Sequence, residues 1–356
     1  MTRPAADMAR KLLEHASGVL RTANPIEAGL GRLVDEALTL EAGDPRYRRR
    51  QGHPDTFATQ FSELATRNLA FGLEPGGPLA TADFRIAEGT DAVRGLVRHN
   101  MGPEAEAWLL ARSEEARGSG YGASAWGASI GASFDDAGLR EAAVAYEWGP
   151  TLMDSLPAPL YRVARTAMDQ LPGLRPAFST IHVGRTTGSQ QLTFEMTNAL
   201  SLAALEPLMR ELGLGHRHGS LMSACAFVLG ARFVLPPGVA TVTLRPARGG
   251  LEFKLDIDLD RLPDVPEPLT PLLQLQMAER PRSVHEWSRW LAAVSQDGFD
   301  RPGSFSVLSI VVRPDLPARI ALHLRPAAVE DEPDDRDDDG DREHAWAGPE
   351  AATAWH

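Results

Sequence analysis

Five times between residues 69 and 325 the sequence sets two short strand-like runs around a turn signal, and a long helix-like stretch separates each pair from the next. The pairs are 69–74 with 79–87 around Pro75-Gly76-Gly77-Pro78, 122–133 with 139–147 around Asp135-Asp136-Ala137-Gly138, and 176–186 with 190–197 around Thr187-Gly188-Ser189. Two more are 239–246 with 250–258, turning at Arg248-Gly249, and 304–313 with 318–325, turning at Pro314-Asp315-Leu316-Pro317. Glycine supplies positive φ and proline presets φ, so these are turns with a mechanism. An antiparallel hairpin needs no crossover helix, so a helix after each hairpin has to cover a sheet face. Ten strands in one open sheet also leave two unpaired edges, and closure removes them.

Alternation along the strands gives the sheet two faces. In 251–259 the residues Leu251, Phe253, Leu255, Ile257 and Leu259 share one side and Glu252, Lys254, Asp256 and Asp258 the other. The same rule sets Leu192, Phe194 and Met196 against Gln191, Thr193, Glu195 and Thr197, and Ile320, Leu322 and Leu324 against Arg319, His323 and Arg325. The apolar set belongs under the helices, which leaves a polar interior. The expected fold is therefore α/β (α+β): a ten-stranded antiparallel barrel built from five helix-bounded hairpins, ringed by helices. An open sheet with helices on one face and solvent on the other gives the same parity.

The helices expected between hairpins are 90–117, 152–171, 199–230 with a break at 213–219, and 269–297 with a break at Pro281. Before the first hairpin, 6–20 and 25–40 carry apolar residues at helical spacing, and a further helix is expected from Asp55-Thr56 to Asn68, with Phe57, Phe61 and Leu64 on one face. The expected division is residues 1–50 as N-terminal helices packed on the barrel, 51–327 as the barrel, and 328–356 as a disordered acidic tail. Of a formal net charge of −12, the run Glu330–Glu343 holds ten acidic residues against Arg336 and Arg342. The remaining chain is only mildly acidic and has no dense basic face, so nucleic acid is not an expected partner. The first twenty residues mix charge into their apolar pattern, no apolar run reaches membrane-span length, and the one cysteine, Cys225, lies in apolar surroundings. A cytoplasmic protein without a membrane span is expected.

This order of elements resembles the prenyltransferase barrel of the ABBA-type aromatic prenyltransferases, over roughly residues 56–327. The resemblance implies transfer of an isoprenoid from an allylic diphosphate to an aromatic acceptor, an indole, a phenol or a peptide side chain, with no cofactor and no metal. Such chemistry wants inward cations for the departing diphosphate, aromatic rings to shield an allylic cation, and a hydrogen-bond acceptor for the nucleophile. The candidates are Arg85, Arg140, Arg245, Lys254 and Arg319 for the diphosphate, and Tyr146, Trp148 and His323 for shielding. Glu74 is the catalytic candidate, similar by position to an acidic residue near the first hairpin of the indole-specific branch. That branch carries an Arg, Lys and Tyr ladder on the second strands of its hairpins, where this chain reads AAVAYEW, LTFEMTN and KLDIDL. Glu195, Asp256 and Asp258 would repel a diphosphate unless Arg or Lys neutralises them. The alternative is a non-catalytic barrel that binds a small ligand or a biosynthetic partner, with Lys254 paired to Asp256.

Other signals are weaker. Asp334-Asp335-Arg336-Asp337-Asp338 matches DDxxD but sits in an acidic run with Pro333 and Gly340, where helix geometry cannot align its carboxylates. The same stretch begins like a calcium loop and has Trp346 where the closing glutamate belongs. His216 and His218 flank Arg217 in a glycine-bearing loop without acidic or cysteine partners nearby. The glycines of 118–131 lack the lysine and helix of a phosphate-binding loop and suit a bending strand better.

Overall fold

A computed structural model of the chain describes residues 4–31, 34, 57–65, 69–73, 82–117, 128–148, 152–247, 249–266, 269–295 and 301–327. Ten antiparallel strands close into one barrel. They are β1 (Phe57–Ser62), β2 (Leu69–Leu73), β3 (Ala128–Asp135), β4 (Gly138–Glu147), β5 (Leu174–Gly184), β6 (Gly188–Met196), β9 (Ala240–Ala247), β10 (Gly250–Asp258), β11 (Gly303–Arg313) and β12 (Leu316–Pro326). Two short strands, β7 (Leu200–Ser201) and β8 (Val234–Leu235), pair outside it. Closure runs through β1, which bonds to β2 on one side and to β12 on the other, with Thr59 opposite Leu324. The open-sheet reading is thereby excluded.

The parity holds. Leu192, Phe194, Phe253, Leu255, Ile257, Leu308, Ile310, Val312, Leu322 and Leu324 are all buried on the outer face, under the helices. The N-terminal helix Pro4–Leu20 repeats buried residues at Ala9, Leu12, Leu13, Ala16 and Leu20, one stripe at helical spacing. It lies against the helix Pro281–Val294, whose Arg289 donates to the Val19 carbonyl from Nε at 3.1 Å and from its terminal nitrogen at 2.8 Å. Beneath the latter helix Phe61 meets Trp287 edge-on at 5.0 Å, and Trp287 stacks on Trp290 at 5.4 Å. This aromatic cluster covers the seam where β1 joins β12. Among the described residues no helix is long and apolar enough to cross a membrane.

Four of the five expected hairpins form with ends shifted by a few residues or, at 122–127, lying outside the described residues. The first is wrong in its pairing. Phe57–Ser62, expected as helix, is a strand, and its partner is Leu69–Leu73; of the stretch 79–87 expected to pair with 69–74, the described part, from residue 82 on, is the start of the helix Ala82–Met101. Phe57 and Phe61 are four apart, a spacing that lands on one face in both a helix and a strand. Thr59 is buried between them on that face, as only a strand allows. The expected long helices break at Gly102, at Pro157 and near Gly213, giving Ala82–Met101 and Pro103–Arg117, Leu152–Ser155 and Ala158–Gln170, Leu205–Glu211 and His218–Val228. Most of the second N-terminal helix expected at 25–40, and all of 328–356, lie outside the described residues.

Candidate functional site

The barrel interior encloses a chamber of about 1370 Å³ that reaches the hairpin-turn end, where Thr187, Gly249 and Asp315 line its rim. Its cationic lining is Arg112, Arg140, Arg245, Lys254 and Arg313, against the carboxylates Glu141, Glu252 and Asp315. One wall is soft and small, with Ala70, Gly131, Ala132 and Ala143. The helix Pro103–Arg117 contributes Trp108, which rests on Gly188 at the rim so tightly that a Cβ there would run into the indole.

Two charge networks shape the chamber. Near the rim Arg245 donates to Glu141 Oε2 at 2.6 Å and to Ser189 Oγ at 2.9 Å, and the other oxygen of Glu141 lies 3.0 Å from His182 Nδ1. Burial raises the Glu141 carboxyl, but His182 and Arg245 overcome it and hold the group well below the usual carboxylate range. Burial, then Arg245, lowers His182. Its Nδ1 faces Glu141, and its Nε2 lies 3.2 Å from the Gln191 side-chain oxygen. Arg140 reaches the same wall because a register shift between Ser133 and Phe134 lets both Arg140 and Glu141 line the chamber. Among the described residues Arg140 makes no ion pair.

Deeper, Lys254 Nζ lies 3.0 Å from Asp256 Oδ2. Asp256 also accepts from Ser309 Oγ at 2.5 Å and from Thr243 Oγ1 at 3.4 Å, and Thr243 bonds Thr193 at 3.1 Å. The network is a polar floor across β6, β9, β10 and β11. Among the described residues it leaves N–H donors of Lys254 unused, and the ammonium lines the chamber. His323 stands beside it, opposite Gln60 across the β1–β12 seam. Burial, and then Lys254, pushes His323 down to about 4.

Of the diphosphate candidates, Arg140, Arg245 and Lys254 therefore converge on one chamber. Arg319 does not line it. Its guanidinium turns back to the Pro317 and Ala318 carbonyls, with Arg280, Glu63 and Arg217 near enough to act on it. Arg85 lies on the helix Ala82–Met101 and not on a strand, because the alternation of Ala82, Phe84 and Ile86 is short and gives way to a helix-forming stretch. Glu74 lies outside the described residues. Tyr146 is placed on the wrong face by the sequence reading: it follows Ala142 and Val144 outward, is fully buried, and donates to Ser113 Oγ at 2.9 Å on the covering helix. Trp148, two residues on, is outside as well, 5.7 Å from Phe194. His323 is the one shielding candidate in the chamber.

The acids expected to repel an anion are neutralised. Glu195 meets Arg175 at 2.6 Å, Asp258 meets Arg261 at 3.3 Å, and Asp256 has Lys254. The histidines of the glycine-bearing loop go separate ways, His216 to the Pro314 carbonyl at 3.1 Å and His218 to that of Leu202 at 3.0 Å. Glu141, His182 and Gln191 were missed as site residues. His182 was legible, since Ile181 and Val183 on either side are apolar and face out.

No protein-family model and no curated protein sequence matches the chain. Solved structures do, over nearly the whole length. The 5-dimethylallyltryptophan synthase from Streptomyces coelicolor superposes with a TM-score of 0.65 at 18% identity, covering 91% of this chain and 98% of that one. The 6-dimethylallyltryptophan synthase from Micromonospora olivasterospora, solved with DMASPP and Trp, gives 0.64 at 15% over 91% and 98%. AnaPT from Neosartorya fischeri gives 0.60 at 11% over 90% and 94%. The fold is the ten-stranded barrel of these prenyltransferases.

Proposed function

We propose that this chain, a prenyltransferase barrel by fold, transfers an isoprenoid from an allylic diphosphate to an aromatic acceptor inside its chamber. The observation that carries the reading is the convergence of Arg140, Arg245 and Lys254 on one cavity of about 1370 Å³ within the closed barrel. A diphosphate leaving group develops charge as the allylic C–O bond breaks, and preorganised cations on the chamber wall stabilise that charge. Arg140 and Lys254 supply donors to the departing oxygens, and Arg245 supplies what Glu141 leaves of its guanidinium. The barrel wall keeps bulk water from an allylic cation. The complex of the Micromonospora enzyme with DMASPP and Trp supports a C5 donor and an indole acceptor as the first pair to try.

A specific observation favours the second reading, a barrel that binds without reacting. Two of the three cations are already paired, and among the described residues no tyrosine lines the chamber. One experiment separates the two. The protein is incubated with dimethylallyl, geranyl and farnesyl diphosphate and a panel of indoles, phenols and peptides, and products are weighed by mass spectrometry. A mass gain of one isoprenyl unit on an aromatic acceptor is the expected result. Pyrophosphate binding by calorimetry with no mass gain on any acceptor would leave the binding barrel.

A further inference from the structure

Proton removal is the step of this chemistry for which the chamber wall still lacks a residue. Alkylation joins the allylic carbon to a ring carbon of the acceptor while the carbon–oxygen bond breaks and its electron pair leaves on the diphosphate. The ring is then a cation until its C–H bond breaks, returning that electron pair to the π system and giving the proton to a base. Asp315 stands at the rim, and of the acids further in Glu141 is held by Arg245 and His182, Asp256 by Lys254, Ser309 and Thr243, and Glu252 by Arg313, whose Nε is 2.6 Å away. His182 is engaged through both ring nitrogens. His323 differs from all of these. It lines the chamber and among the described residues no hydrogen bond reaches its ring; Nε2 is enclosed without a partner, which leaves Nδ1 as the nitrogen that a ring in the chamber can reach. The groups facing it are Lys254 and Asp256 from β10, Gln60 from β1 and uncharged Val307 from β11. Burial, and then the Lys254 charge, keep the imidazole neutral at pH 7, so a lone pair is available.

We propose that His323 is the base that takes the ring proton of the alkylated acceptor, a role beyond shielding. The inference rests on the prenyl-transfer reading. A weak base suffices, because an arenium ion is a far stronger acid than an imidazolium. The protonated ring, beside Lys254, then gives its proton to water when the product leaves.

The test is a kinetic isotope effect, which a merely structural role would not move. Dimethylallyl diphosphate is supplied with protio or ring-perdeuterated indole, tryptophan and tyrosine, to wild type, His323→Gln and His323→Asn. In wild type the isotope effect is near one, because alkylation limits the rate. In both variants kcat falls tenfold or more, the isotope effect rises to about two or above as proton loss becomes limiting, and inorganic pyrophosphate binds within twofold of wild type. Added imidazole restores part of the rate to His323→Ala. Wild-type turnover with variants that keep the rate and an isotope effect of one overturns the base assignment and leaves the function standing. Loss of pyrophosphate binding in every variant shows a structural role and overturns it too. No wild-type turnover with any of the three acceptors, although pyrophosphate binds, overturns the functional reading and the base with it.

Discussion

At the scale of single residues the chamber depends on which groups are neutral. His323 has a folded pKa of about 4 against an unfolded value of about 6.5, and His182 is lowered as well. A histidine with a depressed folded pKa binds fewer protons folded than unfolded across that window, so its contribution to stability is intact above about pH 6.5 and is lost as pH falls. From His323 alone the loss between pH 6.5 and 4.5 comes to about 2 kcal/mol. Urea unfolding at the two pH values should show this drop in wild type and about 2 kcal/mol less of it in His323→Gln, with His182 still contributing in both. Equal acid sensitivity of the two proteins would show that His323 titrates normally. Tyr146 illustrates the same scale from the side of sequence reading. Its face was legible from the alternation Ala142, Val144, Tyr146, but an aromatic residue flanked by a glutamate invites a catalytic assignment, and its hydroxyl finds Ser113 on the covering helix.

At the scale of elements the later hairpins were readable because each carries a turn with a mechanism between runs of consistent parity. The first was not. Phe57 and Phe61 satisfy both periodicities, and Pro75-Gly76-Gly77-Pro78 looks like a tight turn but leads into the helix Ala82–Met101. What fixes β1 is non-local: pairing with β12, more than 250 residues away in the chain, and the Trp287 and Trp290 rings lying over Phe61. No local pattern can report a partner at that distance. Docking of helix on barrel can be tested at Gly188, where the Trp108 indole touches the strand end. Gly188→Ala puts a methyl into a rigid ring, and the indole has to lift from the rim at a cost of about 1–3 kcal/mol. The same substitution in a Trp108→Ala background should cost nearly nothing, since the contact is gone. A cost of equal size in both backgrounds would place the strain elsewhere than at the indole.

At the scale of the whole molecule, a chain with a formal net charge of −12 presents a chamber whose lining holds more cations than carboxylates. The separation is possible because the densest acidic run, Glu330–Glu343, comes after the last barrel strand, and because the inward acids of the strands have partners. An anion entering this barrel therefore meets a locally positive interior, and Lys254 is a cationic contact further from the turn end than Arg245, bound to Asp256 but, among the described residues, with donors to spare. Replacing Lys254 alone would strand the Asp256 carboxylate against Ser309 and Thr243 and mix a stability loss into the measurement. The clean comparison is Asp256→Asn against Lys254→Met/Asp256→Asn. Asp256→Asn frees the ammonium and should tighten inorganic pyrophosphate binding relative to wild type. The double variant keeps the floor neutral and should bind at least tenfold more weakly than Asp256→Asn, about 1.4 kcal/mol. Raising the salt concentration should shrink that gap only modestly, because a partly buried contact is poorly screened. If the two variants bind pyrophosphate equally, Lys254 belongs to the barrel's internal ion pairing and Arg140 and Arg245 at the rim are left to hold the anion.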